Sequence, residues 1–118
     1  MKLGDLSEAQ LVSHFRESFP RGERTIIGIG DDCAQVAAPE GSFIVTTDVM
    51  VEDQHFHLSW SSGYEVGERV AAQNLADIDA MGGRPSALVA SVVAPRGMDA
   101  DVFLDVVRGL GDLSLIHI

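Results

Sequence analysis

The sequence predicts an α+β fold in which a mixed β-sheet carries helices on one face. Apolar runs rich in β-branched residues are interspersed with stretches of helical period, in the order β-β-β-α-β-α after an initial helix. Turn residues between the second and third runs indicate a hairpin. The 118 residues suffice for one domain with a core, but not for two ordinary domains.

The acidic composition narrows the class of function. A formal net charge of −10 disfavours binding to nucleic acid or to an anionic membrane, since both attract basic surfaces. Cys33 is the single cysteine, which excludes an internal disulfide. No signal peptide and no apolar stretch of about twenty residues is visible, so a cytoplasmic location is expected.

The first half of the chain is expected to contain one helix and three strands. Ser7 is a plausible N-cap for a helix that extends to Phe19, with an apolar stripe at helical spacing. The strands predicted after it are Thr25–Ile29, Ala34–Ala38 and Phe43–Val51. The last two are expected to pair as a hairpin.

Two helices and a buried strand are expected in the second half. Ser62 caps a helix over Tyr64–Met81, a central strand follows at Ala87–Val93, and a helix runs from Asp99 to about Leu110. The amphipathic pattern stops there. Residues 111–118 are therefore expected to be the start of a strand cut short or a non-native tail.

Carboxylates at strand ends are the main chemical signal. Asp31 and Asp32 follow the first strand, and Thr46, Thr47 and Asp48 interrupt an otherwise apolar run. Carboxylates brought together repel one another and lose hydration, unless a hard cation such as Mg²⁺ compensates them. A solvated pair of turn acids is the alternative for the first two residues.

The helix predicted over Tyr64–Met81 adds a further carboxylate. Asn74 and Asp77 are three residues apart and share a face. A carboxylate near a helix C-terminus is disfavoured by the macrodipole, so a cation is the expected partner of Asp77, whereas Asp79 is interpreted as a solvated charge. His55 and His57 have the spacing of a transition-metal pair, but no cysteine or third histidine lies nearby.

Three motifs together resemble the amino-terminal part of the thiamine-monophosphate kinase family. That family shares a superfamily with aminoimidazole ribonucleotide synthetase and selenophosphate synthetase. The motifs are GIGDDCA at Gly28–Ala34, TTDVMVEDQHF at Thr46–Phe56 and AAQNLADIDAMGGRP at Ala71–Pro85. The resemblance covers roughly Leu6 to Leu110 and implies the amino-terminal domain fold of this superfamily.

The resemblance also implies an activity and a set of site residues. The family phosphorylates thiamine monophosphate to thiamine diphosphate, with ATP as co-substrate and several Mg²⁺ ions, and it forms homodimers through the amino-terminal domain. His55 matches a substrate contact, Asp31 and Asn74 are possible additional site residues, and no catalytic side chain is assigned. The positions that match Mg²⁺ ligands are Asp32, Thr46, Thr47, Asp48 and Asp77.

The match implies that the sequence is a fragment of such an enzyme. Residues 1–110 correspond to an incomplete ATP- and Mg²⁺-binding domain, and the Gly-Gly-Asp-Thr segment and carboxy-terminal domain of the family are absent. The fragment by itself is expected to be inactive. Two alternatives stay open: another ATP-using synthetase of the superfamily, and a non-catalytic metal-binding or dimerisation module.

Overall fold

Three α-helices and one two-stranded sheet form the computed structural model, which describes residues 1–30 and 32–117. In chain order the elements are a 3-10 helix at Leu3–Asp5, α1 at Glu8–Ser18, β1 at Thr25–Ile27, β2 at Gln35–Val36, α2 at Gly63–Ala80 and α3 at Ala100–His117. This content is compatible with the expected α+β class. None of the helices among these residues combines the length and apolarity needed to cross a membrane.

The first helix begins where the sequence predicts. The Ser7 hydroxyl accepts a hydrogen bond from the Gln10 backbone N–H at 3.2 Å, and the Gln10 side chain accepts one from the Ser7 N–H at 2.8 Å. This reciprocal capping box satisfies two N–H groups that a helix start leaves without partners. The helix then packs its Phe15 ring 6.4 Å from the ring of Phe103 in α3.

The small sheet pairs different segments from those predicted. Strand β1 runs antiparallel to β2, with Thr25 opposite Val36 and Ile27 opposite Gln35. The expected hairpin between the second strand and residues 43–51 is therefore wrong for the described chain. β2 follows β1 after a short connection, and segments close in the chain tend to pair, so β2 meets β1 before the chain reaches residue 43.

Residues 43–51 and 87–93 are not strands in the described part of the chain, so both strand predictions are wrong there, and the mixed sheet is not formed. Their sequences have β propensity, but a strand also needs a neighbour to complete its hydrogen-bond ladder. Exposure still alternates over residues 45–51 and 87–91. Val89 is 62% exposed, whereas Leu88 and Ala90 pack against the core.

The core lies where α2 and α3 cross. The Ser62 hydroxyl accepts the Glu65 N–H at 3.2 Å and starts α2 as predicted. Gly67 faces the Val106 carbonyl of α3 so closely that a Cβ there would collide with it. The buried cluster and the side chains packed on it are Val70, Ala71, Leu75, Leu110, Phe19, Met50, Leu88, Ala90 and Leu113.

Helix α3 continues past Leu110, where the sequence pattern predicted its end, so that boundary is wrong. Leu113 packs on the core, and the buried Ser114 donates its hydroxyl to the Leu110 carbonyl at 2.7 Å. Gly111 lies against the Ser18 carbonyl at the end of α1, which admits no side chain. Gly111 and Ser114 stand where α3 packs on its neighbours, and these small or polar residues interrupt the apolar pattern that predicts a helix. The native status of residues 111–118 stays a prediction.

Candidate functional site

Residues 43–51, which contain the predicted magnesium ligands Thr46, Thr47 and Asp48, run along α2. The Ile44 side chain lies over Gly83, just past the C-terminal end of α2, and Met50 packs on the cluster formed around Val70. Asp48 lies between these points and contacts Gln73. The segment therefore crosses the C-terminal half of α2 from its end towards its middle.

Side chains of this segment alternate between the helix and solvent. Thr46 and Asp48 are half-buried, as is Met50, whereas Thr47 and Val49 are exposed. This is the period of an extended chain, in which successive side chains point to opposite faces. The structure thus separates the two threonines: Thr46 shares the helix-facing side with Asp48, and Thr47 does not.

Both carboxylate oxygens of Asp48 accept hydrogen bonds from neutral donors. Oδ1 accepts the Val49 backbone N–H at 2.9 Å, and Oδ2 accepts the side-chain N–H of Gln73 at 2.9 Å. A carboxylate has about four acceptor positions, so two remain for a further ligand. The contact joins residues 25 positions apart and fixes the carboxylate on α2.

Asp77 lies one turn beyond Gln73 on the exposed surface of α2. Residues 44, 46 and 48 face the helix, and the contacts of Ile44 and Asp48 bracket this turn. Thr46 lies between them in sequence, so it is at the level of the helical turn that carries Asp77. Thr46 and Asp48 therefore belong to the segment that crosses the C-terminal half of α2, and Asp77 belongs to that half of the helix.

Asn74 occupies a different environment from Asp77, although the two are three residues apart. Its side chain is only 2% exposed and its Nδ2 donates to the Val70 carbonyl at 2.8 Å. Its Oδ1 is buried and has no hydrogen-bond partner. Asn74 therefore faces the core side of α2, where an unpaired acceptor costs free energy.

Asp32 lies in the exposed turn between β1 and β2, and Asp31 lies outside the described residues. This turn is attached to α1, because the Arg16 Nε–H donates to the Ile29 carbonyl at 3.0 Å. Gly30 has a φ of +120° and faces the Arg16 guanidinium, so a side chain there would be both strained and obstructed. The backbone conformation at this position therefore requires a glycine, so Gly30 needs no ligand to explain it.

The loop after residue 50 orients two histidines. The Val51 N–H donates to His55 Nδ1 at 2.9 Å, so a neutral His55 ring carries its proton on Nε2. His57 Nδ1 lies 3.1 Å from the Asp53 carboxylate, and its ring centroid is 3.9 Å from that of Trp60. Because His55 Nδ1 accepts a hydrogen bond and Nε2 carries the proton, a neutral His55 has no free nitrogen lone pair for a metal, which argues against a shared transition-metal site.

No three His, Cys, Asp or Glu side chains within residues 1–30 and 32–116 form a group that could hold a metal ion. Asp48 contacts α2 and Asp77 is part of α2, but Asp32 does not complete such a group with them. The convergence of all three carboxylates stays a prediction. A cavity of about 760 Å³ between α1, the β1–β2 sheet and α3 contains none of these ligand positions.

Gln73 and Tyr64 have contacts that the sequence reasoning missed. In the sequence, Gln73 has the character of an ordinary surface residue of a helix. Only its hydrogen bond to Asp48 indicates that it contributes to the site. The Tyr64 hydroxyl donates to Asp112 Oδ2 at 2.8 Å and links α2 to α3. This hydrogen bond to a carboxylate, more than partial desolvation, raises the pKa of Tyr64 above its ordinary value. No local sequence pattern predicts either contact.

Comparison with known proteins identifies relatives of this chain. The thiamine-monophosphate kinase of Mycobacterium tuberculosis (strain ATCC 25618 / H37Rv) is 47% identical over 93 residues, which are 79% of this chain and 28% of that protein. The thiamine-monophosphate kinase of Corynebacterium glutamicum is 34% identical over 110 residues, 92% of this chain and 32% of that protein. The chain therefore spans only about three-tenths of the length of these curated relatives. No solved structure matches it.

The family assignment comes from a match over most of the chain. Residues 30–115 match the family described as AIR synthase related protein, N-terminal domain. This range includes the three motifs from residue 30 onwards and most of α3. Together with the kinase relatives, the match confirms the resemblance drawn from the motifs. The chain therefore belongs to the AIR synthase related protein family, within its N-terminal domain.

Proposed function

We propose that the protein containing these residues transfers the γ-phosphoryl group of ATP to thiamine monophosphate and forms thiamine diphosphate. The observation that carries the proposal is the Asp48 carboxylate, held on the helix that bears Asp77 by a neutral donor. The curated relatives at 47% and 34% identity are thiamine-monophosphate kinases, which favours this reaction over that of a synthetase. The activity is proposed for the whole protein, of which this chain is a part.

The oxygen donors of Thr46, Asp48 and Asp77 fit Mg²⁺. Mg²⁺ is usually held by one or two carboxylates together with phosphate oxygens and water. Asp48 and Asp77 supply two carboxylates and Thr46 a hydroxyl. Neither carboxylate belongs to an ion pair found among the described residues, so their charge is available to a cation. Thr47, Asp32 and Asp31 are proposed to serve further Mg²⁺ ions.

The residues of this chain would act by positioning and by charge. Bound Mg²⁺ would supply neutralisation of the phosphate oxygens, which dominates catalysis of phosphoryl transfer. The carboxylates of Asp48 and Asp77 would set where that positive charge lies. His55 presents an Nε2–H donor suited to an anionic substrate oxygen. The acceptor phosphate is already ionised at neutral pH, so no general base is required.

Replacement of Asp48 by asparagine in the full-length protein tests this assignment. Asp48→Asn should lower turnover at least about 100-fold, because metal stabilisation of the transition state is worth several kcal/mol. The melting temperature in metal-free buffer should stay near or above that of the unaltered protein, since a repulsive charge is removed. Asp79→Asn, at an exposed position of the same helix, is the matched control. Unchanged turnover of the Asp48 variant would contradict the assignment.

Binding and transfer measurements separate this function from its alternatives. Calorimetry with Mg²⁺ and a non-hydrolysable ATP analogue is followed by a transfer assay with thiamine monophosphate. Transfer supports the kinase. Nucleotide binding without transfer to this acceptor indicates another synthetase of the superfamily. Absence of both nucleotide binding and transfer indicates a non-catalytic module.

We also propose that the protein is a homodimer through this domain. The two segments that lack strand partners expose large apolar side chains, with Phe43 and Val93 both 78% exposed and Val45 74% exposed. Such unpaired, apolar edges are a liability that proteins cover. Pairing between two copies would bury them. Sedimentation equilibrium tests this, and a monomer at all concentrations would exclude it.

A further inference from the structure

The Gln73 side chain is one of the contacts between residues 43–51 and α2, and it is the one made to a proposed magnesium ligand. Its amide donates to Asp48 Oδ2 at 2.9 Å. A carboxylate only accepts hydrogen bonds, so the NH₂ side of the amide must face Asp48. The other oxygen, Oδ1, accepts the Val49 N–H at 2.9 Å. Rotation of the Asp48 carboxylate is thereby restricted at both oxygens.

Helix stability does not explain this use of Gln73. The residue is exposed on α2, where glutamine has no advantage over many other helix-forming residues. Ordering a long side chain costs roughly 1–2 kcal/mol of conformational entropy, which a solvated glutamine would avoid. The ordered amide therefore has an effect at its partner, Asp48, rather than within its own helix.

The chemical character of the donor suits a cation site. A lysine or arginine at this position would hold Asp48 equally well, but it would also neutralise the carboxylate and repel a metal ion. The neutral amide of Gln73 fixes the orientation and leaves the full negative charge. Asp77 lies one turn further along the same face of α2 as Gln73, the residue that holds Asp48.

We infer that Gln73 is a positioning residue, which holds the Asp48 carboxylate in the orientation that binds a divalent cation at α2. The inference rests on the proposed function, because it takes Asp48 as a metal ligand. Outer partners of metal ligands typically contribute 10- to 100-fold in metal affinity. Removal of the Gln73 donor should therefore weaken cation binding without disturbing the helix.

The test compares Mn²⁺ binding, as a spectroscopic probe for Mg²⁺, by the full-length protein and its variants, measured by electron paramagnetic resonance. Gln73→Met keeps the side-chain length and helix propensity but removes the donor. It should raise the Mn²⁺ dissociation constant about tenfold and alter the spectrum of the bound ion. The melting temperature in EDTA should not change. Ala72→Met, at the exposed neighbouring position on α2, is the control and should bind Mn²⁺ as the unaltered chain does.

The remaining variants separate failure of this inference from failure of the proposed function. If Asp48→Asn weakens Mn²⁺ binding and Gln73→Met does not, the positioning role is wrong and the metal site stands. If Asp48→Asn has no effect, or the unaltered chain binds no Mn²⁺, the metal site itself is wrong and the role of Gln73 with it. A lower melting temperature of Gln73→Met in EDTA would also overturn the inference, since it would indicate a structural role.

Discussion

The α2–α3 pair and the segments 43–51 and 87–93 contain similar apolar residues but reach opposite outcomes. The two helices satisfy their own backbone hydrogen bonds and bury one face against each other, with Val107 and Leu110 each only 3% exposed. The two segments have the β-branched composition of strands, yet Val45 and Val93 remain largely exposed. A helix completes its hydrogen bonds locally, whereas a strand depends on a neighbour.

The site lies where these two regions meet. Asp48 belongs to a segment with no strand partner, and its carboxylate is held by the Val49 N–H and by the Gln73 side chain of α2. The helix pair supplies Asp77 and Gln73, and the segment without a strand partner supplies Thr46 and Asp48. Loss of order in the second region would therefore affect the site before it affected the core.

The largest expected effect comes from crowding the helix pair. Gly67→Ala places a Cβ against the Val106 carbonyl, and backbone cannot move aside as a flexible side chain could. We expect a loss of about 3 kcal/mol in the free energy of unfolding, the upper end for overpacking. Urea denaturation measures it. Gly97→Ala, where no atom lies near the added methyl group, is the control. Equal stability of the two variants would contradict the close helix contact.

A smaller effect is expected within residues 87–93, where alternate residues should respond differently. Leu88 packs on the core and Val89 is 62% exposed. Leu88→Ala should cost about 2 kcal/mol of unfolding free energy, near the lower end for a core leucine. Val89→Ala should change it by less than about 0.5 kcal/mol. Equal losses at both positions, measured by the same denaturation, would show that the segment does not present one face to the core.

The smallest effect concerns the pH dependence of the link between α2 and α3. The hydrogen bond to Asp112 raises the Tyr64 pKa, so the neutral phenol is favoured in the folded chain. Its contribution is present below the ordinary tyrosine pKa of about 10. It is lost as the pH rises through the higher folded value. Tyr64 is the single tyrosine, so the tyrosinate absorbance band reports its titration directly.

The Tyr64→Phe variant provides the control for this pH effect. Its unfolding temperature should fall less steeply at alkaline pH than that of the unaltered chain, because the group that titrates is gone. An absorbance titration of the folded chain that gives the same midpoint as the urea-unfolded chain would show that the hydrogen bond to Asp112 does not perturb Tyr64.

Sequence patterns predicted the helices better than the sheet. Both Ser7 and Ser62 are N-caps as expected, because capping depends on residues three positions away. The end of α3 was missed, since Gly111 and Ser114 break the apolar pattern for reasons that lie in α1 and in the core. The pairing of β1 with β2 depended on which segment was nearest, which composition does not encode.

For the candidate site, too, some features could be predicted from the sequence and others required the structure. The residue types that suit Mg²⁺, and the motifs that place the chain in its family, can be read directly from the sequence, because ligand chemistry depends on side-chain identity. Only the tertiary structure separates Thr46 from Thr47, directs Asn74 towards the core and joins Asp48 to Gln73. The contact between Asp48 and Gln73, for example, depends on how residues 43–51 lie on α2, and it joins positions 25 residues apart. Such distant contacts follow from packing, not from local sequence.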